Sequence, residues 1–503
     1  RAQPLAPPPA RLRGRLAALR PLLFATLLTL LGACRPAPPP RPGTEAVTDL
    51  RAADFRQPVE LDGPWELYPG RLLLPEELPA GRAGDTPERM RPDEPWSRHG
   101  LSTGGALPSV GALTLRLRVL LPQRRLSPQG GPLALRAKTY ARAMRVFVSE
   151  VEAPGPGPDP GPGARRVPLL LPLSAGVVST EPSAIRGNKQ TFIAALPPRL
   201  QGAAGQGSER PEGPEGPEGP GGAPVELELV VQLANRAVRD VAGHVHLSIG
   251  REAALRAEES AEQQVQLLLI GVSLVIGLYH LAMFATRRSE RAPLYFGLFC
   301  IALGVRQFML YGFLEARLLD SGLLPGVVWE RQTRIEYLGF FLSVPLFTLY
   351  LRSLFPSGFS RRLTHALLAL SLLTCAFVLA LPLHLAARSI GAFEKLTLCV
   401  AGYIVFGMVR VLRRGPAHEK EAARLIAAGT LVLIATAVHD ILGHNKVIRS
   451  SAIEHYGMFA FIFCQAFVLA VNNARARRDA ERLAAELDRK NAADRKSTRL
   501  NSS

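Results

Sequence analysis

Four polar side chains could do chemistry within otherwise apolar stretches of the second half of the chain: Arg306, Glu336, His439 and Asp440. An ionised group is costly inside a hydrocarbon layer, so such residues pair with one another, line a functional path or reach the interface. We expect Arg306 to pair with Glu336 or Asp440 in a buried network that also includes His439 and relays ligand state through helix packing. The alternative is that each side chain extends to the membrane interface.

A second set of candidate residues is aromatic and lies in the first half of the chain: Trp65, Tyr68, Trp96 and Tyr140. Aromatic faces are typical of sites for sugars and other small ligands. The structural alternative is that large aromatic rings at strand positions fill a core. The sequence offers no Ser/His/Asp set, no paired carboxylates in a plausible pocket and no Cys/His cluster. We therefore predict no catalytic residue, no metal site and no cofactor.

Residues 1–34 are typical of a secretory signal, because five arginines without an acid precede a short apolar run and small residues. The sequence from Leu31 to Cys34 resembles a bacterial lipobox, which implies that Cys34 becomes a lipidated N-terminal residue. Simple cleavage and an uncleaved anchor are the alternatives. Residues 35–46 are rich in proline and predict an extended spacer. The chain starts with Arg1, so we expect the true start upstream.

Residues 47–250 predict an exported all-β domain. Apolar and polar residues alternate from Leu113 to Leu120 and from Val225 to Leu233, which indicates strands with one buried face. Short strands joined by Gly/Pro-rich loops favour an antiparallel sandwich. Two inserts, 153–164 and 202–224, consist largely of Pro, Gly and Glu and are expected to be disordered loops. No cysteine occurs between Arg35 and Gln264, so this domain must be stabilised by its core.

This domain resembles the galactose-binding-like jelly rolls of bacterial sensor proteins. The stretch from Leu61 to Leu73 is similar to their opening strand, and Pro95-Trp96 followed by Leu115-Arg116-Leu117 is similar to a later turn and strand. Residues from Tyr140 to Val148 resemble the next strand, although Ser149-Glu150 stands where an Asn-Gly turn is common. The resemblance implies binding of a small, carbohydrate-like ligand.

Residues 265–473 predict a seven-helix transmembrane domain, since a span needs about 20 apolar residues. Basic residues number eleven in the predicted inner loops and seven in the outer loops, which favours an exported N-terminal domain and a cytoplasmic C-terminus. The net charge of +18 follows from these flanks and from both termini, so we predict no nucleic-acid partner. The predicted spans are 265–286, 292–314, 332–354, 363–385, 394–412, 424–443 and 452–473.

The first two spans are identified as those of the 7TMR-DISM family, seven-transmembrane receptors with diverse intracellular signalling modules. Leu278-Tyr279-His280-Leu281, a basic turn and then Leu294-Tyr295-Phe296-Gly297 carry the resemblance. It implies a receptor that links an exported binding domain to a cytoplasmic enzyme. The resemblance covers about residues 250–473, and with the β domain nearly the whole chain.

Residues 474–493 show a short four-three spacing of Ala and Leu with charges between, which predicts the start of a cytoplasmic coiled coil and a homodimer. A basic helix on the membrane surface is the alternative. The coil most resembles the one that precedes a histidine-kinase dimerisation helix. Residues 494–503 look like a translated sequencing adaptor, so we expect that an output domain is missing from this sequence.

The sequence therefore predicts a multidomain chain: a jelly-roll-like sandwich, seven membrane helices and a short coil, in the bacterial inner membrane. We expect a receptor that senses a small extracytoplasmic ligand, contacts membrane lipids, carries no enzyme in the residues present and relays the signal to a missing cytoplasmic output module, a histidine kinase. A diguanylate cyclase, a nucleotide cyclase or a phosphatase is the alternative output. A transporter or a membrane-bound enzyme is less favoured, since the spans show no inverted repeat and no paired broken helices.

Overall fold

The fold is a β-sandwich followed by a long series of helices, as seen in a computed structural model of the chain. The sandwich and the helices up to Val400 form one compact unit, and the chain from Ala401 onward forms another. The structure describes residues 47–78, 88–91, 99, 107, 110–121, 131–152, 165–182, 184–185, 187–197, 225–236, 245–313, 325–445, 448 and 453–501.

The β domain contains eleven strands among these residues. The four longest are β5, β6, β9 and β10, and alternating side chains of β5, β6 and β10 supply most of the core. Gly70 follows β3 with a φ of 70°, a left-handed conformation that glycine adopts without strain. The strands are β1 (Val47–Asp49), β2 (Val59–Glu60), β3 (Trp65–Pro69), β4 (Glu88–Met90), β5 (Gly111–Leu121), β6 (Leu133–Glu152), β7 (Arg165–Pro168), β8 (Leu173–Ala175), β9 (Asn188–Ala195), β10 (Val225–Asn235) and β11 (Val245–Arg251).

Strand β6 joins two sheets because it is 20 residues long and changes register between Thr139 and Arg142. Its first half pairs with β9 and β11, and β11 pairs with β2. Its second half pairs with β10, β7 and β8, and β10 continues through β5 to β3 and β4. Buried leucines and valines from both sheets meet in one hydrophobic core. The predicted all-β sandwich is confirmed.

Eight helices follow among the described residues. Helix α1 starts directly after β11, because Arg251 is the last residue of the strand and Glu252 the first of the helix. The helices are α1 (Glu252–Thr286), α2 (Ala292–Leu310), α3 (Pro325–Leu354), α4 (Arg361–Ala380), α5 (Leu383–Ala386), α6 (Arg388–Arg414), α7 (Ala417–His444) and α8 (Glu454–Asn501).

Six stretches of helix in the described part of the chain are long and apolar enough to cross a membrane. They lie in α1, α2, α3, α4, α5 with α6, and α7. The seventh predicted span, 452–473, coincides with the first part of α8. The predicted combination of a β-sandwich with a bundle of apolar helices is thus confirmed. Helix α8 continues as one helix through 474–493 and on to Asn501.

Glycines allow close packing within each unit. A Cβ on Gly297 of α2 would lie 2.9 Å from the carbonyl oxygen of Gly277 in α1, and a Cβ on Gly339 of α3 would lie 2.8 Å from that of Ala302 in α2. In the second unit, a Cβ on Gly429 of α7 would lie 3.0 Å from Cβ of Cys464 in α8. Small residues at helix contacts are the usual means of close association in membranes.

Candidate signal-coupling site

The first turns of α1 pack against the β domain. Leu255 is fully buried there, at 0% exposure. The backbone N–H of Glu252 donates to the carbonyl oxygen of Pro132 at 2.8 Å, which fixes the start of the helix beside strand β6. The predicted span starts at 265, whereas the helix starts at Glu252, so its first turns belong to the β domain and the rest to the membrane bundle.

Arg136 of β6 connects three elements at this junction. Its guanidinium donates to Ser248 Oγ of β11 at 3.0 Å, to Glu60 Oε1 of β2 at 3.2 Å and to Glu258 Oε2 of α1 at 3.0 Å. Burial raises the pKa of Glu60 above its usual value, and the facing Arg136 partly offsets this increase. One buried cation therefore holds two strands and the helix together.

Lys138 lies two residues further along the same face of β6 and binds the next turn of α1. Its Nζ lies 3.0 Å from Glu262 Oε2 and 3.5 Å from Glu259 Oε2. The hydroxyl of Thr191 in β9 also donates to Glu259 Oε1 at 3.1 Å. We call Arg136, Lys138, Glu258, Glu259 and Glu262 the coupling cluster. Since Glu258 and Glu262 are one helical turn apart, the cluster fixes one face of α1 on the sandwich.

A second charged network lies on the outer face of the other sheet. Glu228 of β10 has no exposed side-chain surface and accepts hydrogen bonds of 2.6 Å from both Arg116 and Arg166. Arg116 also pairs with Glu66 at 3.1 Å. Burial lowers the pKa of Arg116, but the carboxylates of Glu228 and Glu66 outweigh burial and raise it above its usual value. The network links β3, β5, β7 and β10 across the sheet.

Tyr68 joins this network through its hydroxyl, which donates to Glu66 Oε2 at 3.1 Å. Burial, together with the nearby Glu66 carboxylate, raises the pKa of Tyr68 from 10.0 to about 12. The unfolded chain releases this proton first, so the stability of the β domain should fall between pH 10 and about 12. Ultraviolet absorbance of tyrosinate should show a component near pH 12 that Tyr68→Phe removes. A titration that is identical in both proteins would contradict this assignment.

The four aromatic candidates differ in their burial and in whether the structure describes their side chains. Trp65 has 0% exposure in the sandwich core, and its Nε1 donates to the carbonyl oxygen of Leu61 at 3.1 Å. Burial thus favours the structural alternative at Trp65. Tyr68 is half-buried at the charged network. The backbone of Tyr140 lies in β6, while its side chain, Trp96 and Cys34 lie outside the described residues.

The polar candidates in the helices lie in two separate units. Arg306 of α2 places its guanidinium carbon 5.3 Å from the ring centre of Phe340 in α3, and Glu336 lies one turn before that ring. In the other unit, Asp440 Oδ1 lies 2.9 Å from His439 Nδ1. The carboxylate of Asp440 accepts the backbone N–H groups of Ile453 and Glu454, at 2.8 and 2.7 Å, so it caps the start of α8.

Sequence reasoning missed the coupling cluster. Its signal is present in the sequence, since Arg136 and Lys138 alternate with alanine and threonine on a strand. The acidic residues Glu258, Glu259 and Glu262 precede the first apolar run. Neither pattern indicates which residues form ion pairs, because Arg136 and Glu258 are 122 residues apart in the sequence.

The fold and the junction define a multi-pass membrane protein whose β domain continues into its first membrane helix. Residues 262–472 match the family model described as 7TM diverse intracellular signalling. This match covers most of the helical part of the chain and agrees with the family predicted from the first two spans. A comparison with curated proteins found no match to the chain.

Proposed function

We propose that the protein is a receptor whose exported β domain detects a small ligand. Ligand binding to this domain is transmitted through α1 to a cytoplasmic output module. Two features support this proposal most directly: α1 follows β11 without a linker, and the coupling cluster fixes α1 on the sandwich. A rigid junction converts a movement of the sandwich into a tilt or shift of the helix. A flexible linker would absorb the same movement.

The bundle offers a route for this movement. Helix α1 packs closely on α2, and α2 packs closely on α3, at contacts where a single added methyl group meets backbone oxygens. Packed interfaces of this kind move as units rather than deforming continuously. A shift of α1 relative to the membrane should therefore also move α2 and α3.

We assign the output to a histidine kinase joined after α8, with a diguanylate cyclase, a nucleotide cyclase or a phosphatase as the alternative. Helix α8 supports this assignment because it runs unbroken from the last apolar segment through the predicted coil. Leu483 and Leu487, 69% and 61% exposed, lie one turn apart and would contact a second copy of the chain. Sequencing the genomic locus across the codon for Asp494 tests the assignment, and a cyclase or phosphatase frame would contradict the kinase.

Mutating the coupling cluster tests directly whether movement of the β domain is transmitted to α1, which we call the relay. Lys138→Glu replaces two ion pairs with repulsion from Glu259 and Glu262. Partly exposed pairs contribute about 0.2–1 kcal/mol each, so we expect amide hydrogen exchange in residues 253–262 to rise about threefold to tenfold. The measurement uses the full chain in lipid nanodiscs with detection by mass spectrometry.

Two further variants make this test specific. Adding Glu262→Lys to Lys138→Glu should restore most of the protection. Arg256→Glu is the matched control, because Arg256 pairs only along the helix, with Glu252, in the contacts we describe. Exchange that rises equally in the control, or not at all in Lys138→Glu, would contradict a relay through this junction.

A further inference from the structure

Five cations lie close together where α6 ends and α7 begins. Three are in the last five residues of α6 and two in the first eight of α7, and only Gly415 and Pro416 separate the two helices. Lys420 Nζ lies 3.3 Å from the carbonyl oxygen of Arg413, so it joins the start of α7 to the end of α6. We call this set the basic corner: Arg410, Arg413, Arg414, Lys420 and Arg424.

The basic corner has an excess of positive charge. Its four arginines are exposed and Lys420 is partly exposed. Within the side chains that the structure describes, none of the five forms an ion pair. The sequence from 410 to 424 contains two acidic residues, Glu419 and Glu421, which cannot neutralise five cations. An approaching anion is therefore attracted to this corner.

Helix α8 passes the same level of the second unit. A Cβ on Gly429 of α7 would lie 3.0 Å from Cβ of Cys464, and one on Gly457 of α8 would lie 1.8 Å from Thr436 Oγ1. The two helices are therefore antiparallel, and seven residues back along α7 correspond to seven forward along α8. This register places Lys420 level with the start of the charged part of α8. Three arginines follow there: Arg475, Arg477 and Arg478.

The cations border directly on an exposed apolar surface. Phe406 is 63% exposed and lies one helical turn before Arg410. Val409 is 38% exposed and lies one turn before Arg413. The helical stretches on both sides of the corner are long and apolar enough to cross a membrane. A partner that fits must combine a negative group with apolar chains, as an anionic phospholipid does and a nucleic acid does not.

We propose that the basic corner binds the phosphate headgroup of an anionic phospholipid, whose acyl chains lie along the apolar surface of α6. Arginine binds phosphate through paired N–H donors, and lysine adds a point charge. Clusters of four to eight basic residues beside a membrane helix are typical sites for acidic lipids. In the predicted orientation, the lipid belongs to the cytoplasmic leaflet. The binding does not depend on the receptor function, and it places a lipid headgroup level with the start of the charged part of α8.

Native mass spectrometry of the full chain in detergent tests this site by titration with phosphatidylglycerol and with phosphatidylcholine. We expect phosphatidylglycerol to bind about tenfold more tightly or better, since each cation near a lipid headgroup contributes about fivefold. The double variant Arg413→Gln with Arg414→Gln should lose most of this preference. Arg424→Gln, on the other helix, should reduce it about fivefold and keeps the test valid if the double variant does not fold.

The matched control is Arg361→Gln with Arg362→Gln, which removes the same charge from two exposed residues at the start of α4. It should keep the preference within about twofold, because salt screens charges that do not contact the headgroup.

Three outcomes would overturn the inference. The wild type could bind both lipids equally, or both double variants could lose the preference equally, which would indicate general attraction to positive charge. Inorganic phosphate could displace phosphatidylglycerol at equal concentration, which would assign the corner to a soluble anion. Each of these outcomes leaves the receptor function in place, because that function is tested at the coupling cluster.

Discussion

Replacing Glu228 with Gln should lower the free energy of unfolding of the β domain by about 3–5 kcal/mol. The carboxylate of Glu228 has no exposed surface and binds Arg116 and Arg166 at 2.6 Å each. Glutamine preserves the shape but leaves two guanidinium groups facing each other, with Glu66 as the remaining neighbouring carboxylate we describe. Breaking one partner of a buried pair is far more costly than exchanging the whole pair for apolar groups.

Thermal unfolding of the full chain in nanodiscs measures this effect, with the β-domain transition identified by hydrogen exchange in β5 and β10. The matched control is Glu226→Gln, two residues away on the same strand. Glu226 pairs with Arg118, which is 40% exposed, so its loss should cost about 1 kcal/mol or less. Equal destabilisation by the two variants would show that the buried network has no special role.

Replacing Gly297 with Leu should separate α1 from α2 and destabilise the bundle by about 1–3 kcal/mol or more. A Cβ at this position would lie 2.9 Å from the backbone oxygen of Gly277 and 3.0 Å from Cδ2 of Leu281. The Leu281 side chain can rotate, but the Gly277 oxygen can move only if the helices move. Membrane helices associate through close packing rather than the hydrophobic effect. No hydrophobic gain therefore compensates for the lost contact between α1 and α2.

Unfolding of the full chain in mixed micelles of increasing denaturing-detergent fraction measures this loss. Gly271→Leu is the matched control, since Gly271 lies on α1 and a Cβ there would meet no atom within 4 Å. We expect the control to unfold like the wild type. If Gly297→Leu does so as well, the close α1–α2 contact does not stabilise the bundle.

Much of the fold follows from local sequence patterns. Alternation along β5 and β10 predicts strands with one buried face, and both strands lie in the sandwich with their apolar face in the core. Their polar face is also buried, at Arg116 and Glu228 for example, which the alternation does not predict. Apolar length predicts the membrane helices because backbone groups in lipid must bond within their own segment. The long strand β6 was predicted only near its middle, since its length results from pairing with two different sheets.

The coupling cluster could not be predicted because its contacts are long-range. The first turns of α1 are polar, so hydropathy places the start of the helix where the apolar run starts. Their helical structure is stabilised instead by Leu255 and by ion pairs with a strand far away in sequence.

The most direct test of the relay measures the distance between spin labels on the β domain and on α1. Leu171 and Ser260 are exposed positions for the two labels, in a full chain whose native cysteines are replaced. In nanodiscs, double electron–electron resonance should give one narrow distance distribution, because the sandwich and the first turns of α1 form a rigid body. A broad distribution, typical of domains joined by a flexible linker, would contradict the account.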